Sequence, residues 1–179
     1  KIYERGLAAF SFGKTLHNAL HRFLLEKDRT FEKLEEIYKA EWLDEWYESK
    51  TQREEYFKLG QKTIKNFYEE FVKTKPKILS INCQPALEQD FNIKIGGHTL
   101  IGKIDRIDET KEGVEIIDYK TGSAKEKLRP EDKKQLLIYQ SAAEEVLGLK
   151  VKQLRYYYLD EGSSISFLGS EKDKEKEKE

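Results

Sequence analysis

Apolar residues recur every three or four positions through the first part of the chain, which is the spacing of one face of a helix. The first run starts at Phe12, directly after Ser11, a residue type that commonly caps the start of a helix. A second run extends over residues 31–46 and a third over residues 57–71. Pro76 follows the third run and cannot continue a helix. The pattern therefore predicts three helices.

The spacing changes in the middle of the chain to the alternation that is typical of β-strands. We predict strands over residues 86–95, 100–107 and 114–119, with a Gly-Gly turn after the first and a turn over residues 109–113 after the second. Strands joined by turns this short run antiparallel to each other. An antiparallel meander is therefore expected.

A helix and two more strands complete the pattern. Pro130 suits the first turn of a helix, and Gly148 suits its end. Strands are predicted over residues 154–159 and 165–168. The expected fold class is α/β, with a mixed, mainly antiparallel central sheet of about five strands flanked by helices.

We expect one domain over residues 1–170, because no linker interrupts the chain. Residues 1–75 form its helical segment, and residues 76–170 form its core. Residues 171–179 alternate between acidic and basic side chains. That composition is typical of a disordered end or a solvated helix, and an interaction tail is the alternative.

Composition narrows the classes of function. The 179 residues are 37% charged and 12% aromatic with a formal net charge of -1, so phosphate binding by this folded chain must rely on local clusters or a bound cation. Cys83 is the single cysteine, which excludes an internal disulfide and fits a reducing, cytoplasmic location. No apolar run is long enough to span a membrane. The chain begins at Lys1 and lacks methionine, so we expect a piece of a longer polypeptide.

Candidate chemistry lies on the two strands that flank the turn over residues 109–113. Antiparallel pairing across this turn sets Asp105 opposite Asp118, and a register shift of one residue would make them diagonal neighbours. Lys120 shares the face of Asp118 because side chains alternate along a strand. Opposed carboxylates repel each other, and a divalent cation is the usual compensation. Oxygen ligands suit Mg²⁺ or Mn²⁺, and a neighbouring lysine can stabilise a phosphoryl oxygen or orient a water molecule. On spacing alone, the alternative is a surface hairpin with an ion pair worth less than about 1 kcal/mol.

Four motifs resemble those of the RecB-like branch of the PD-(D/E)xK nuclease superfamily. In that family a GxxxH helix is followed by a GxxD strand, a (D/E)xK strand and a QxxxY helix. The chain has GKTLH at 13–17, GKID at 102–105, DYK at 118–120 and QLLIY at 135–139, in the same order. The resemblance covers residues 11–168 and implies a restriction-endonuclease-like core.

The resemblance also implies a metal site and a catalytic residue. Asp105 and Asp118 would bind the metal together with the backbone carbonyl of Tyr119, and His17 would complete the site from the first helix. Lys120 would be the catalytic lysine. Apart from its motif, His17 would be read as an ordinary residue on a helix face.

Three further residues are candidates for the same site. Gln135 and Tyr139 lie four residues apart on one helix face, and the resemblance implies that they line the site and hold the DNA strand or the lysine. A helix-surface pair is the alternative. Glu88 lies on the first predicted strand, where related nucleases often carry an acidic residue near the metal; an exposed strand carboxylate is equally compatible with its position.

A run of basic residues follows the (D/E)xK strand. These side chains are candidates for contacts with the phosphates that flank the cleaved bond, although the interleaved acidic residues also suit a solvated loop. The candidates are Lys125, Lys127, Arg129, Lys133 and Lys134.

The resemblance implies a Mg²⁺- or Mn²⁺-dependent deoxyribonuclease, expected to be an exonuclease module in DNA end processing and repair. Many relatives carry cysteines that bind an iron–sulfur cluster, whereas Cys83 stands alone, so we expect no cluster in this chain. The sequence also lacks a GxxxxGK(S/T) motif and therefore an ATPase of its own.

The expected partners are DNA and a helicase. The family often places such a domain at the C-terminus of a UvrD/RecB-type helicase–nuclease, and a stand-alone exonuclease like those associated with CRISPR systems is the second choice. A catalytically silent DNA-binding domain of a helicase–nuclease complex is the alternative function. A structural or protein-interaction module is a third interpretation.

Overall fold

The computed structural model describes residues 2–178, with side chains for residues 6–175. The chain divides into two compact units. The first contains the chain up to Lys75 together with Tyr119–Ser123 and Tyr158–Ser163, and the second contains Pro76–Asp118, Ala124–Tyr157 and the chain from Ser164 onward. The assignment of residues 1–170 to one domain stays a prediction.

Three helices form most of the first unit: α1 (Ile2–Leu25), α2 (Phe31–Ala40) and α3 (Lys50–Thr74). α1 packs against both α2 and α3. Thr30 and Ser49 cap α2 and α3, because each side chain accepts a hydrogen bond from the backbone N–H three residues ahead. The buried apolar side chains of this unit include Phe12, Leu16, Leu20, Phe23, Leu34, Ile37, Ile64 and Phe67.

The predicted start of α1 is wrong. The helix begins at Ile2 rather than after Ser11, because Ala8 lies one turn before Phe12 and extends the same buried face. Ser11 is therefore a buried residue of the helix interior and not its cap.

The aromatic residues after α2 pack on one another instead of continuing the helix. Trp42 stacks on Tyr47, with ring centroids 5.4 Å apart and 5° between the ring planes. Trp46 has φ 67°, a left-handed backbone conformation that is incompatible with a continuing α-helix. α2 therefore ends at Ala40, and the prediction that it extends to Trp46 is wrong.

Seven strands form two sheets within residues 2–178. A two-stranded sheet pairs β1 (Ser80–Ile81) with β2 (Gln84–Pro85) and was not predicted. The central sheet has five strands in chain order: β3 (Leu87–Ile95), β4 (His98–Glu109), β5 (Val114–Lys120), β6 (Val151–Tyr158) and β7 (Ser163–Phe167). The expected α/β fold with a five-stranded central sheet is confirmed.

Hydrogen bonds define the strand directions. β4 is antiparallel to both β3 and β5. β5 and β6 run parallel, because Val114 N donates to Lys150 O at the start of the pair and Leu159 N donates to Lys120 O at its end. β7 follows β6 through a short turn over residues 159–162 and so runs antiparallel to it. The central sheet is mixed and mainly antiparallel, as predicted.

The remaining helices follow the (D/E)xK strand and the last strand. α4 (Pro130–Ser141) begins at the predicted proline and continues into a π-helical turn over Ala142–Val146. α5 (Glu171–Lys178) is formed by the charged end of the chain, and Lys174 makes an ion pair with Glu144 at 2.6 Å. No helix within residues 2–178 combines the length and the apolar character needed to cross a bilayer.

Candidate active site

Two aspartates oppose each other on β4 and β5. Arg106 pairs with Ile117, so the register predicted from the sequence is confirmed. One residue further along both strands, the same register sets Asp105 opposite Asp118. Asp118 is buried and Asp105 is half-buried, so their charges are only partly screened by solvent.

The Tyr139 hydroxyl fixes one of these carboxylates by donating a hydrogen bond to Oδ1 of Asp118 at 3.2 Å. Burial raises the pKa of Tyr139 well above its usual range, and the negative charges of Asp118 and Asp105 raise it further. The hydroxyl therefore stays protonated and remains a donor. Gln135, one turn earlier on α4, donates from Nε2 to the Tyr139 oxygen at 3.2 Å. The QxxxY helix thus reaches Asp118.

The hydrogen bonds continue one residue beyond the motif. Tyr156 on β6 is 1% exposed, and its hydroxyl donates to Oε1 of Gln135 at 2.5 Å and also lies 3.1 Å from the backbone carbonyl oxygen of Asp132. Donors and acceptors then follow one direction, from Tyr156 through Gln135 and Tyr139 to Asp118. An amide suits the second position because it accepts at one end and donates at the other. No motif or spacing pointed to Tyr156, which is the first of three consecutive tyrosines.

Gly102, the glycine of the GxxD strand, leaves room for an aromatic ring. A Cβ at this position would lie 2.7 Å from the ring of Phe91 on the neighbouring strand. The Phe91 ring packs edge-to-face with Tyr139, with centroids 5.8 Å apart and 78° between the ring planes. The glycine is therefore needed for packing: it allows Phe91 to support the tyrosine that holds Asp118.

Glu88 lies in line with the two aspartates. Its neighbours on β3 pair with the neighbours of Asp105 on β4, so the register places Glu88 across from Asp105. Its φ is 46°, a left-handed conformation that costs a residue with a side chain about 1 kcal/mol or more and is concentrated at functional sites. This position keeps Glu88 among the candidate metal ligands.

In the first unit, α1 brings His17 to the backbone of β5. Nε2 of His17 lies 3.2 Å from the carbonyl oxygen of Tyr119. The two rings pack edge-to-face with centroids 5.9 Å apart, and Phe67 of α3 packs against the Tyr119 ring at 6.1 Å. The histidine and the carbonyl that the motifs pair as metal ligands are therefore neighbours.

Lys120 is the last residue of β5. Its side chain is half-buried, and its carbonyl accepts a hydrogen bond from Leu159 N at 2.9 Å. Because side chains alternate along a strand, Asp118 and Lys120 project from the same face of β5 and Tyr119 from the other. The (D/E)xK motif therefore presents a carboxylate, a backbone carbonyl and an ammonium group on consecutive residues.

The turn after β5 is held by residues outside the motifs. The Gly122 N–H donates to Oδ2 of Asp160 at 2.6 Å, and the Thr63 hydroxyl lies 3.3 Å from Oδ1. A Cβ at Gly13 would lie 3.4 Å from Oγ1 of Thr121, an ordinary van der Waals distance, so α1 passes beside this turn at Gly13. Asp160 and Thr63 were missed, because their contacts join residues 38 and 97 positions apart and no sequence spacing predicts such pairs.

The basic residues predicted to contact DNA fall into two groups. Lys125 lies 3.3 Å from a carboxylate oxygen of Asp132, and Arg129 makes ion pairs with Glu131 at 2.8 Å and Asp132 at 3.2 Å. These two cations therefore neutralise the acidic first turn of α4. The side chains of the second group are exposed to solvent, and they are Lys127, Lys133 and Lys134.

Each unit contains donor atoms of a kind that suits a divalent cation. In the second unit, Asp105 and Asp118 offer hard carboxylate oxygen atoms. In the first unit, the Tyr119 carbonyl offers an oxygen and His17 a nitrogen, which Mn²⁺ accepts. Across the residues whose placement is described, no three His, Cys, Asp or Glu side chains converge closely enough to hold an ion by themselves. A cation bound to the two aspartates would therefore need water molecules as further ligands, as Mg²⁺ commonly does.

Comparison with known proteins identifies the family. No curated protein matches the chain. The family model described as the PD-(D/E)XK nuclease superfamily matches residues 3–179, almost the whole sequence, and the mixed five-stranded sheet is consistent with a restriction-endonuclease-like fold. The chain belongs to the PD-(D/E)XK nuclease superfamily.

Proposed function

We propose that this protein hydrolyses DNA phosphodiester bonds in a reaction that requires Mg²⁺ or Mn²⁺. The observation that carries the proposal is the pair of opposed carboxylates, Asp105 and Asp118, in a strand pair that ends at Lys120. Two carboxylates in such a position repel each other, and a bound cation removes that repulsion. The Tyr139 hydrogen bond to Asp118 supports the same role, since it orients the carboxylate.

The residues that would hold the cation are Asp105, Asp118, the carbonyl of Tyr119 and His17, with Glu88 as an additional candidate carboxylate. When bound, the cation would polarise the phosphodiester and lower the pKa of a water molecule.

Lys120 would stabilise negative charge on the phosphoryl group or orient the attacking water, because it carries a cation on the same face of β5 as Asp118. Gln135 and Tyr139 would keep Asp118 in one orientation through the transition state. The exposed Lys127, Lys133 and Lys134 remain candidates for contacts with the DNA backbone.

We further propose an exonuclease of the RecB-like branch that acts in DNA end processing and repair. The support is the complete order of the four motifs, from His17 on α1 to Tyr139 on α4. A helicase is the expected attached or partner protein, and a stand-alone exonuclease is the second choice. An exonuclease requires a free DNA end, whereas an endonuclease does not, so this requirement distinguishes the two activities.

The test uses end-labelled linear and circular single-stranded DNA, each with Mn²⁺ or with EDTA. An exonuclease degrades only the linear substrate, and only with Mn²⁺. The variants Asp118→Ala and Lys120→Ala should each lower the rate by at least about 100-fold. Asp90→Ala and Lys103→Ala are matched controls, because these two residues form an exposed pair at 3.8 Å on the same sheet.

Two results would contradict the proposal. Degradation by the Asp118 and Lys120 variants at the wild-type rate would exclude these residues from the chemistry. Binding of DNA that tightens with Mn²⁺ but yields no product would indicate the catalytically silent DNA-binding domain instead. Cleavage of circular DNA would keep the nuclease and reject the exonuclease.

A further inference from the structure

The position of Lys120 depends on the turn that follows it. β5 ends at Lys120, and the next residues leave the sheet through Thr121 and Gly122, whose φ is 93°. The Lys120 carbonyl is bonded to Leu159 N at 2.9 Å, but residues 121–123 belong to no strand. Whatever holds this turn therefore also limits the positions available to the lysine backbone.

The two carboxylate oxygens of Asp160 contact different elements: one contacts the turn, and the other contacts α3. Oδ2 accepts the Gly122 N–H at 2.6 Å, which is short for a hydrogen bond from a backbone amide. Oδ1 lies 3.3 Å from the hydroxyl of Thr63, which is 1% exposed and lies on α3. Because Asp160 directly follows Leu159, one dipeptide binds the chain at both Lys120 and Gly122.

The Asp160 carboxylate is half-buried, so its charge is partly removed from water. Burial raises the pKa of Asp160, while the hydrogen bonds from Gly122 and Thr63 act in the opposite direction. An asparagine would accept the same N–H without a buried charge. The charge-assisted bond is stronger and more directional than a neutral one, which suits a group whose task is to fix a position.

We infer that Asp160 is a positioning residue for the nuclease reaction: it holds the turn over residues 121–123 so that Lys120 stays in its reactive place. The inference rests on the proposed function, since it concerns the lysine of that site. Asp160 acts through the backbone and touches neither the substrate nor the metal. Its effect is therefore on the rate of the chemical step and not on DNA affinity.

The first test is amide hydrogen exchange of the metal-free protein. Asp160→Ala should accelerate exchange at Gly122 by about 10-fold or more, because the amide loses its acceptor. Asp160→Asn should retain most of the protection, since its side-chain carbonyl still accepts. Glu161→Ala is the matched control: it removes the exposed carboxylate next to Asp160, in the turn over residues 159–162, and should leave the exchange rate of Gly122 unchanged.

The second test is kinetic. Asp160→Ala should lower kcat by about 10- to 100-fold while KM for single-stranded DNA changes less than about 2-fold, because small displacements of a catalytic group have effects of that size. Asp160→Asn should recover most of the loss, and Glu161→Ala should have none. A merely structural role would lower the melting temperature without this separation of kcat from KM.

The two tests fail separately. Unchanged exchange at Gly122 in Asp160→Ala overturns the inference, whether or not the wild-type protein cleaves DNA. Faster exchange combined with wild-type kcat overturns it as well. If the wild-type protein has no nuclease activity, the proposed function is rejected. The catalytic role of Asp160 is then rejected as well, even if hydrogen exchange shows that Asp160 holds the turn.

Discussion

The carboxylate of Asp118 is held through three hydrogen bonds in series, which begin at Tyr156 and pass through Gln135 and Tyr139. Each of these groups is buried or half-buried, so a missing bond leaves a polar atom that water cannot easily satisfy. The direction of the series is set by the amide of Gln135. The orientation of Asp118 therefore depends on a tyrosine three bonds away.

Replacing Tyr156 with phenylalanine should expose this dependence. The Gln135 oxygen and the Asp132 carbonyl both lose their contact with this hydroxyl, so the free energy of unfolding should fall by about 1–2 kcal/mol. The cleavage rate should fall as well, because Gln135 and Tyr139 are then less firmly oriented towards Asp118. Urea unfolding and initial rates on linear DNA measure the two effects.

Tyr47→Phe is the matched control for this change. The Tyr47 hydroxyl is buried with no hydrogen-bond partner among the described residues, so its loss should be neutral or slightly stabilising. Equal effects of Tyr156→Phe and Tyr47→Phe on stability would show that the series contributes nothing beyond packing.

At this scale, the sequence predicts residues that share an element and misses those that meet across elements. Gln135 and Tyr139 are four residues apart on one helix, and helical periodicity alone places them together. Tyr156 meets Gln135 only because β6 lies near α4, and Asp160 meets Gly122 only because β6 ends beside the end of β5. Such pairs depend on tertiary packing, which no local pattern contains.

The start of α4 combines three kinds of stabilisation. Pro130 occupies its first turn, where a missing N–H is harmless. Asp132 accepts the Arg129 backbone N–H at 3.1 Å, and its negative charge lies at the positive end of the helix. α4 carries Gln135 and Tyr139, so the stability of this first turn bears directly on the site.

Asp132→Asn should weaken this start in a pH-dependent way. The hydrogen bond from the Arg129 side chain is the largest of the effects that hold the pKa of Asp132 at about 2, below its ordinary value of 3.8. A depressed folded-state pKa means that the stabilisation is fully present above the ordinary pKa and is lost as pH falls towards 2. The variant should lose about 1 kcal/mol at pH 7, and the difference from wild type should shrink below pH 4.

Urea unfolding at pH 7 and pH 3 measures that difference. Glu131→Gln is the control, because its ion pair with Arg129 is exposed and such pairs contribute little. A difference between wild type and Asp132→Asn that stays constant from pH 7 to pH 3 would contradict the assigned role.

Helices and strands with a clear periodicity of apolar residues were predicted well, but the residues at which they begin and end were predicted less well. The β4–β5 register followed from the short turn that joins the two strands, which leaves little choice of pairing. The predicted end of α2 was wrong because Trp42 and Tyr47 stack on each other, and a continuing helix would not bring these two rings together. The two-residue strands β1 and β2 are too short to produce any alternation.

The charge of the whole molecule limits how it can bind its substrate. With 33 basic and 34 acidic residues, the chain offers DNA no general attraction. A bound divalent cation would supply positive charge at the place where the phosphodiester must lie. Metal binding should therefore be measurable before any DNA is added.

Mn²⁺ should raise the melting temperature of the protein in the absence of DNA. A cation present at about 100 times its Kd stabilises the folded state by about 2.7 kcal/mol, which corresponds to roughly 5–10 °C for a chain of this size. Asp105→Asn should lose that gain, and the exposed Asp90→Asn should keep it. Differential scanning calorimetry with Mn²⁺ and with EDTA measures the shift, and an equal gain in both variants would place the cation elsewhere.

Both tryptophans of the chain lie within five positions of each other, at Trp42 and Trp46, in the connection that follows α2. Trp42 packs among Tyr38, Tyr47 and Phe57, all within the first unit. Intrinsic tryptophan fluorescence is therefore a local signal, and it will report the melting of this aromatic cluster rather than that of β4 and β5. Optical unfolding curves need a second probe, such as far-ultraviolet circular dichroism, before they are taken to describe the strands that carry the aspartates.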